Sequence, residues 1–295
     1  MTLKPSLSPY RSIYVKEALK VGRNITKSMR TSLIIAVVLI VLVIAIVATY
    51  LLMNQNNPEK ALLNARKLLL SSNFTGTYDI SSIVKTYPPG SSTPRVVQSS
   101  GVVIISRSPA LNATVANSTG ISFINGKSVS SSVINAYWLS DDKLCQVLIA
   151  YAPSSGIIKY CIPYNNYTRY RFPFYITKEL LSNATYVGEG SWNGKTTYCF
   201  ASKIMAIEPS ITISPPNGTI IGPPWSVITT NATICILGNG VIASLIEYTY
   251  AVPTQPSLSA TTVTITNETL ISYSLTFNQQ LFNQITQLMS KAEQG

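Results

Sequence analysis

The sequence predicts a mostly β protein with one transmembrane helix, an antiparallel sheet beyond it and an amphipathic helix at the C-terminus. Three observations carry this. Leu33 to Met53 is an apolar run with no charged residue. Beyond it, segments rich in Val, Ile, Thr and Tyr alternate apolar with polar at period two between Gly, Pro and Ser clusters. At the end, Phe277, Leu281, Ile285, Leu288 and Met289 recur at helical spacing in a polar background.

At about 1.5 Å per residue the apolar run covers roughly 30 Å, the thickness of a bilayer core. Its β-branched residues would favour strand in water. In lipid every backbone N–H and C=O must be satisfied within the segment, and a helix is the single-segment solution. The chain therefore divides into a basic segment 1–31, a span 32–53 and a β-rich domain 54–295. Residues 1–31 carry seven Lys/Arg against Glu17 alone, whereas 54–295 carry fifteen basic and ten acidic residues. The imbalance puts the N-terminus in the cytoplasm and the large domain outside the cell, as a single-pass protein of the cell membrane.

Lys16, Lys20, Arg23, Lys27 and Arg30 form one basic face on a helix, with Val15, Leu19 and Ile25 beside it. Such a face suits an anionic inner leaflet, which makes the membrane the first expected partner. The basic region is long, the apolar run exceeds a normal secretory h-region and no small-residue site ends it, so an uncleaved signal-anchor is expected. Lys27-Ser28 resembles the processing site of archaeal pilin precursors, but Arg30 would then lie just inside the mature helix. Nucleic acid is not expected as a partner, because the positive charge outside the membrane is not clustered.

Asn57-Pro58-Glu59 reads as a helix start, and Ala61, Leu62, Ala65, Leu68 and Leu69 give that helix an apolar face ending near Ser71. Strands follow at about 74–87, 95–107, 111–125 and 128–139. KLCQVLIAY and GIIKYCIPY flank a Pro-Ser-Ser-Gly turn, and Asn193-Gly194 joins two further runs as a type I′ hairpin. Ser226–Leu237 meets Val241–Ala251 across Gly238-Asn239-Gly240, and a last strand covers about 261–276. Pro88–Pro94 and Glu208–Pro224, dense in Pro, Gly and Ser, read as loops.

Asn73, Asn112, Asn117, Asn166, Asn183, Asn217, Asn231 and Asn267 all open N-x-T triplets without a central proline. Chance would mix Ser with Thr, so the set reads as N-glycosylation sites on an extracellular surface. The Asn24 triplet lies on the expected cytoplasmic side and should be silent. Cys145, Cys161, Cys199 and Cys235 all lie beyond the span, as disulfides in an oxidising exterior would. Four cysteines allow three connectivities; Cys145 with Cys161 and Cys199 with Cys235 is the favoured one, and the spacing fixes none of them.

The order of one apolar-faced helix followed by about ten antiparallel strands resembles the half-barrel of bacterial lipoprotein carriers and their mycobacterial lipoprotein relatives. The resemblance runs from Pro58 to about Phe277 and is carried by ALLNARKLLLSSNFTGTYDI, YVGEGSWNGKTTYCF and ICILGNGVIASLIEY. It implies a curved antiparallel sheet wrapped round a helix, with an apolar ligand between them. The Thr-sequon density and the absence of histidine look like cell-surface glycoproteins of thermoacidophilic archaea.

Catalysis has little to work with. Without histidine there is no Ser-His-acid triad and no H-E-x-x-H, and no G-x-S-x-G elbow occurs. The cysteine spacing fits no zinc motif, so no metal is expected, and Gly188, Gly190 and Gly194 fit no dinucleotide fingerprint, so no cofactor is. Asp141-Asp142 reads as a solvated turn, and Glu179 with Glu189 would have to meet in space to form a glycosidase pair. One patch is chemically distinctive: Tyr164, Tyr167 and Tyr170 interleave with Arg169 and Arg171, rings beside guanidinium groups, as candidate ligand contacts or as a Tyr-rich β edge. The expected function is a non-enzymatic, membrane-anchored binding domain for a lipid or other apolar ligand. The alternative is a structural or adhesive surface component, envelope-associated or pilus-like, whose partner is another envelope protein.

Overall fold

The computed structural model describes residues 39–47, 57–124, 126–152, 155–214, 218–255 and 259–290. Residues 39–47 form a helix, α1, whose Leu, Ile and Val side chains are exposed. Among the described residues no helix is long and apolar enough to cross a membrane. The rest of the expected span 32–53, the basic segment 1–31 and Asn24 lie outside the described residues. The unit from Asn57 to Gly295 is compact.

This unit is built on one open antiparallel sheet of eleven strands. In chain order they are β1 (Phe74–Tyr87), β2 (Arg95–Ser108), β3 (Ala113–Ile124), β4 (Lys127–Ser140), β5 (Lys143–Ala152), β6 (Gly156–Pro163), β7 (Thr185–Trp192), β8 (Lys195–Ser214), β9 (Gly218–Leu237), β10 (Ile242–Pro253) and β11 (Thr261–Ser274). The spatial order is β6-β5-β4-β3-β2-β1-β11-β10-β9-β8-β7. The chain starts in the middle, meanders out to the β6 edge, crosses to the β7 edge and meanders back until β11 pairs with β1. Two arms therefore share a central seam.

Alternation gives each strand two faces. On the inner face Tyr78 of β1 pairs with Val103 of β2 and Leu270 of β11, and Ile234 of β9 pairs with Leu245 of β10 and Phe200 of β8. Helices α2 (Pro58–Ser71) and α3 (Pro173–Ser182) pack on that face. Ala113, Val115, Ala136 and Val147 point the other way and bury Phe282 and Ile285 of α4 (Gln279–Ser290), the amphipathic helix that the C-terminal pattern foretells.

The α2 boundaries follow from its ends. Asn57 Oδ1 accepts from the Glu59 N–H at 2.8 Å, Pro58 occupies the first turn, and the backbone turns extended at Ser72. Ala61, Ala65 and Leu69 form its buried stripe, and the small residues let backbone approach closely. Gly240 uses that space. It sits at φ +92°, and a Cβ there would lie 2.4 Å from the Asn64 carbonyl carbon and 2.5 Å from the Ala65 nitrogen. Gly240→Ala therefore combines a left-handed alanine with a displaced helix and is expected to cost about 2–3 kcal/mol. Chemical unfolding measures this; a loss below about 0.5 kcal/mol would mean that α2 moves freely against the turn.

Both disulfides join directly paired residues on the outer face, Cys145 with Cys161 across β5 and β6 and Cys199 with Cys235 across β8 and β9. Asn193 and Gly194 both have positive φ, as the type I′ reading requires.

Two sequence expectations need correcting. Glu208–Pro224 is mostly strand: β8 runs on to Ser214, β9 starts at Gly218, and Ile211 pairs with Ile221. Pro209, Pro223 and Pro224 fall where the ladder breaks, between the pairs Glu208↔Ser226 and Ser210↔Gly222, so no required N–H is lost. The aromatic stretch 164–175 is not a β edge. It contains a 3-10 turn (Arg169–Arg171) and the start of α3.

Candidate functional site

Pro173 opens α3 at a position where no N–H is needed, and the Phe172 carbonyl accepts from Tyr175 N at 2.9 Å and Ile176 N at 3.2 Å. At this end Phe172 is buried among Leu144 of β5 and Ile162 of β6, with Tyr164 and Phe174 against its ring. At the other end Leu180 and Leu181 pack on Tyr198, Phe200 and Ile234 of β8 and β9. The last carbonyls are held as well: Leu180 O accepts from Ser202 Oγ at 2.7 Å, and Leu181 O accepts from Arg66 Nη2 at 2.8 Å. Helix α3 thus spans the inner face from one arm to the other.

Between α3 and the sheet lies a cavity of about 200 Å³. Pro173, Ile176, Thr177 and Leu180 form its α3 wall. Phe74, Ile105, Ile234, Ile242 and Leu245 line it from the sheet. Tyr78, Arg107, Thr114, Glu247 and Glu268 complete the lining with polar groups. Phe74, Arg107 and Thr114 are consecutive partners across β1, β2 and β3 and so form one row. Glu247 and Glu268 are diagonal neighbours on β10 and β11, Glu268 pairing with Leu245 and Glu247 with Thr266.

The cavity carries three half-buried charged side chains. Arg107 sits 5.2 Å over the Phe74 ring, and burial draws its guanidinium below its ordinary value. Burial also raises the Tyr78 phenol and the Glu247 carboxyl. Glu268 is pushed from 4.5 up to about 7, by burial first and by the neighbouring Glu247 second. A carboxyl raised in the folded state binds its proton more tightly there than in the unfolded chain. Its stabilising contribution is full below pH 4.5 and is lost as pH rises through about 7. Glu268→Gln is therefore expected to stabilise the protein by on the order of 2–3 kcal/mol at pH 8 and to change little at pH 4. Urea unfolding at the two pH values checks it; an equal effect at both would remove the titration as its cause.

The candidate contacts of the aromatic patch are engaged within the fold. Tyr164 packs edge-on against Phe172, Tyr167 edge-on against Trp225 at 4.9 Å, and Tyr170 against Tyr175 at 5.3 Å. Arg169 lies over Tyr170 and Tyr175 at 5.1 and 4.9 Å. Arg171 donates to the Pro209 carbonyl at 3.0 Å and pairs with Glu208 at 3.7 Å. The patch pins the crossover to the β8–β9 arm and lies beside the cavity, not in its lining. Next to it Asn135, Tyr137, Gln146 and Tyr160 form a polar network on β4 to β6, with Asn135 Nδ2 and Gln146 Nε2 both donating to Tyr137 Oη and Tyr160 donating to Gln146.

Asp141 and Asp142 are exposed at positive φ in the β4–β5 turn. Glu179 of α3 neighbours Tyr175 and Arg169 of the preceding turn, while Glu189 is exposed on β7. Of the sequon asparagines, Asn73, Asn112, Asn166, Asn183, Asn231 and Asn267 are exposed, Asn117 is half-buried and Asn217 lies outside the described residues. Asn117, Asn231 and Asn267 fall on the outer face, each next to an inward position at 116, 232 or 268. A shallow, open groove of about 500 Å³ runs between Asn183 and Asn231. No described sequon asparagine lines the cavity.

Sequence reasoning passed over Arg107, Glu247 and Glu268. Their signal is an ionisable residue at an inward position of a period-2 strand, VVIISRS, ASLIEYT and TITNETL. It becomes visible only once the inner face is assigned.

No family model matches the chain, and no curated protein matches it. Among solved structures it is similar to LprF from Mycobacterium bovis, at 12% identity over 74% of this chain and 93% of that one, with a TM-score of 0.31. It is also similar to a beta-barrel-like protein of a domain of unknown function from Brucella abortus, at 8% identity over 69% of this chain and 98% of that one, with a TM-score of 0.25.

Proposed function

We propose that the chain is a membrane-anchored, extracellular binding protein that holds an apolar or amphipathic ligand between α3 and the inner face of its sheet, without catalysing a reaction. The observation that carries this is the cavity, whose walls are mostly aliphatic and aromatic and carry one cation on β2 and two acids on β10 and β11. The uncharged run Leu33–Met53 serves as the anchor, with the basic segment on the cytoplasmic side. Glycans on the outer face and at the loop ends would leave the inner face free.

Full-length protein extracted from its native membrane in a polymer-bounded disc, purified and then released for native mass spectrometry, is expected to carry one retained small molecule per chain. Ile176→Trp, which fills the cavity from α3, is expected to carry none. Equal retention by both would rule the cavity out as the site. For the topology, deglycosylation should shift the mass of the native chain while Asn24 stays unmodified; a glycan on Asn24 would reverse the orientation.

A second reading, as a structural or adhesive surface component, draws on the open edges. Strand β6 carries exposed Ile157 and Ile158, and β7 exposed Tyr186 and Val187, beside unpaired ladder groups. A cysteine at position 187 would cross-link copies of the full chain under this reading and leave them monomeric under the first.

A further inference from the structure

Arg107 is a half-buried cation in the lining of the cavity. Among the described residues no hydrogen bond or ion pair reaches its guanidinium, and the ring of Phe74 below it supplies only a cation–π contact. Both acids in the lining stand on the opposite arm, on β10 and β11, and neither lies within ion-pair distance of it. Its partner across β3, Thr114, is 3% exposed, lines the same cavity and has a buried hydroxyl oxygen without a hydrogen-bond partner. A buried hydroxyl left unpaired is costly, and a half-buried cation with no counter-charge beside it favours an anion. Two such donors in one row, facing one space, amount to half of a binding site.

The other half can be read from the opposite wall. Ile176 and Leu180 of α3 and Ile234, Ile242 and Leu245 of β9 and β10 offer no hydrogen bond, so a tail lying among them is aliphatic. Resting on the binding role proposed above, we infer that the ligand is an amphiphile with an anionic headgroup, held by Arg107 and Thr114, and an alkyl chain lying between α3 and β9–β10. The volume of about 200 Å³ admits a headgroup and a short single chain, not a diacyl lipid. A carboxylate and a phosphate ester share the chemistry that Arg107 recognises: oxygens in a plane or tripod that accept two parallel N–H bonds. The nearby acids do not exclude such a headgroup in a mildly acidic medium, where Glu268, pushed up to about 7, holds its proton, and burial favours the neutral form of Glu247 as well.

The test uses the full chain in amphipol at pH 6, with decanoate, decyl phosphate and decanol as probes and Ile176→Trp as the blank for partition into the polymer. Saturable binding of one decanoate or decyl phosphate per chain is expected, roughly tenfold or more tighter than decanol, and whichever anion binds more tightly identifies the headgroup. Arg107→Met should abolish the preference over decanol, and Thr114→Val should reduce it. The comparison of the three probes on the unaltered protein needs no variant to fold. Decanol bound as tightly as both anions would overturn the headgroup assignment and leave the cavity as an apolar site. No probe bound above the blank would overturn the ligand-binding reading itself.

Discussion

Phe172→Ala is expected to remove about 3–5 kcal/mol of stability, the largest loss from any single side chain of the crossover. Phe172 is 1% exposed, and its ring joins Leu144 and Ile162 of one arm to the start of the helix that reaches the other. Truncation leaves a void between β5, β6 and α3 and removes the ring against which Tyr164 and Phe174 both pack. Urea unfolding followed by tyrosine fluorescence measures the loss. Ligand retention should fall with it, because the α3 wall of the cavity depends on that anchor; a loss below 1 kcal/mol with full retention would show that α3 is held from its C-terminal end alone.

Replacing Cys199 and Cys235 together by serine is expected to cost about 4 kcal/mol, and replacing Cys145 and Cys161 about 3 kcal/mol, on the chain-entropy argument that a longer closed loop restrains the unfolded state more. The loops span 36 and 16 residues. Each bridge clips one arm close to its free edge, on the face away from α2 and α3, so neither should change ligand preference. Thermal unfolding with and without reductant checks both halves. A reductant that shifts ligand preference without lowering the melting temperature would contradict the placement.

Much of the sheet was legible because its signals are local. Alternation set the strand spans, Asn193-Gly194 and Gly238-Asn239-Gly240 marked turns, Asn57-Pro58-Glu59 marked a helix start, and each cysteine pair sits in adjacent strands. Helix α3 was missed because PFYITKELLS follows a run of aromatic β formers that hid the proline at its first turn. The extension of β8 and β9 was missed because prolines dominate a segment whose Ile211, Ile213, Ile220 and Ile221 were the better guide. The cavity was illegible for a different reason. Its charges come from β2, β10 and β11, and only the pairing of β1 with β11 brings them to one wall.

That pairing also orders the birth of the molecule. As the chain is synthesised, the arm from β1 to β6 can zip up hairpin by hairpin with contacts close in sequence. Its first strand then waits with one side unpaired until β11 is synthesised, since Thr75 meets Ser274 and Tyr87 meets Thr261. During that interval β1 is an open template for any extended segment nearby. A chain truncated before Thr261 should therefore self-associate, whereas one that includes Ser274 and lacks α4 should keep the seam closed.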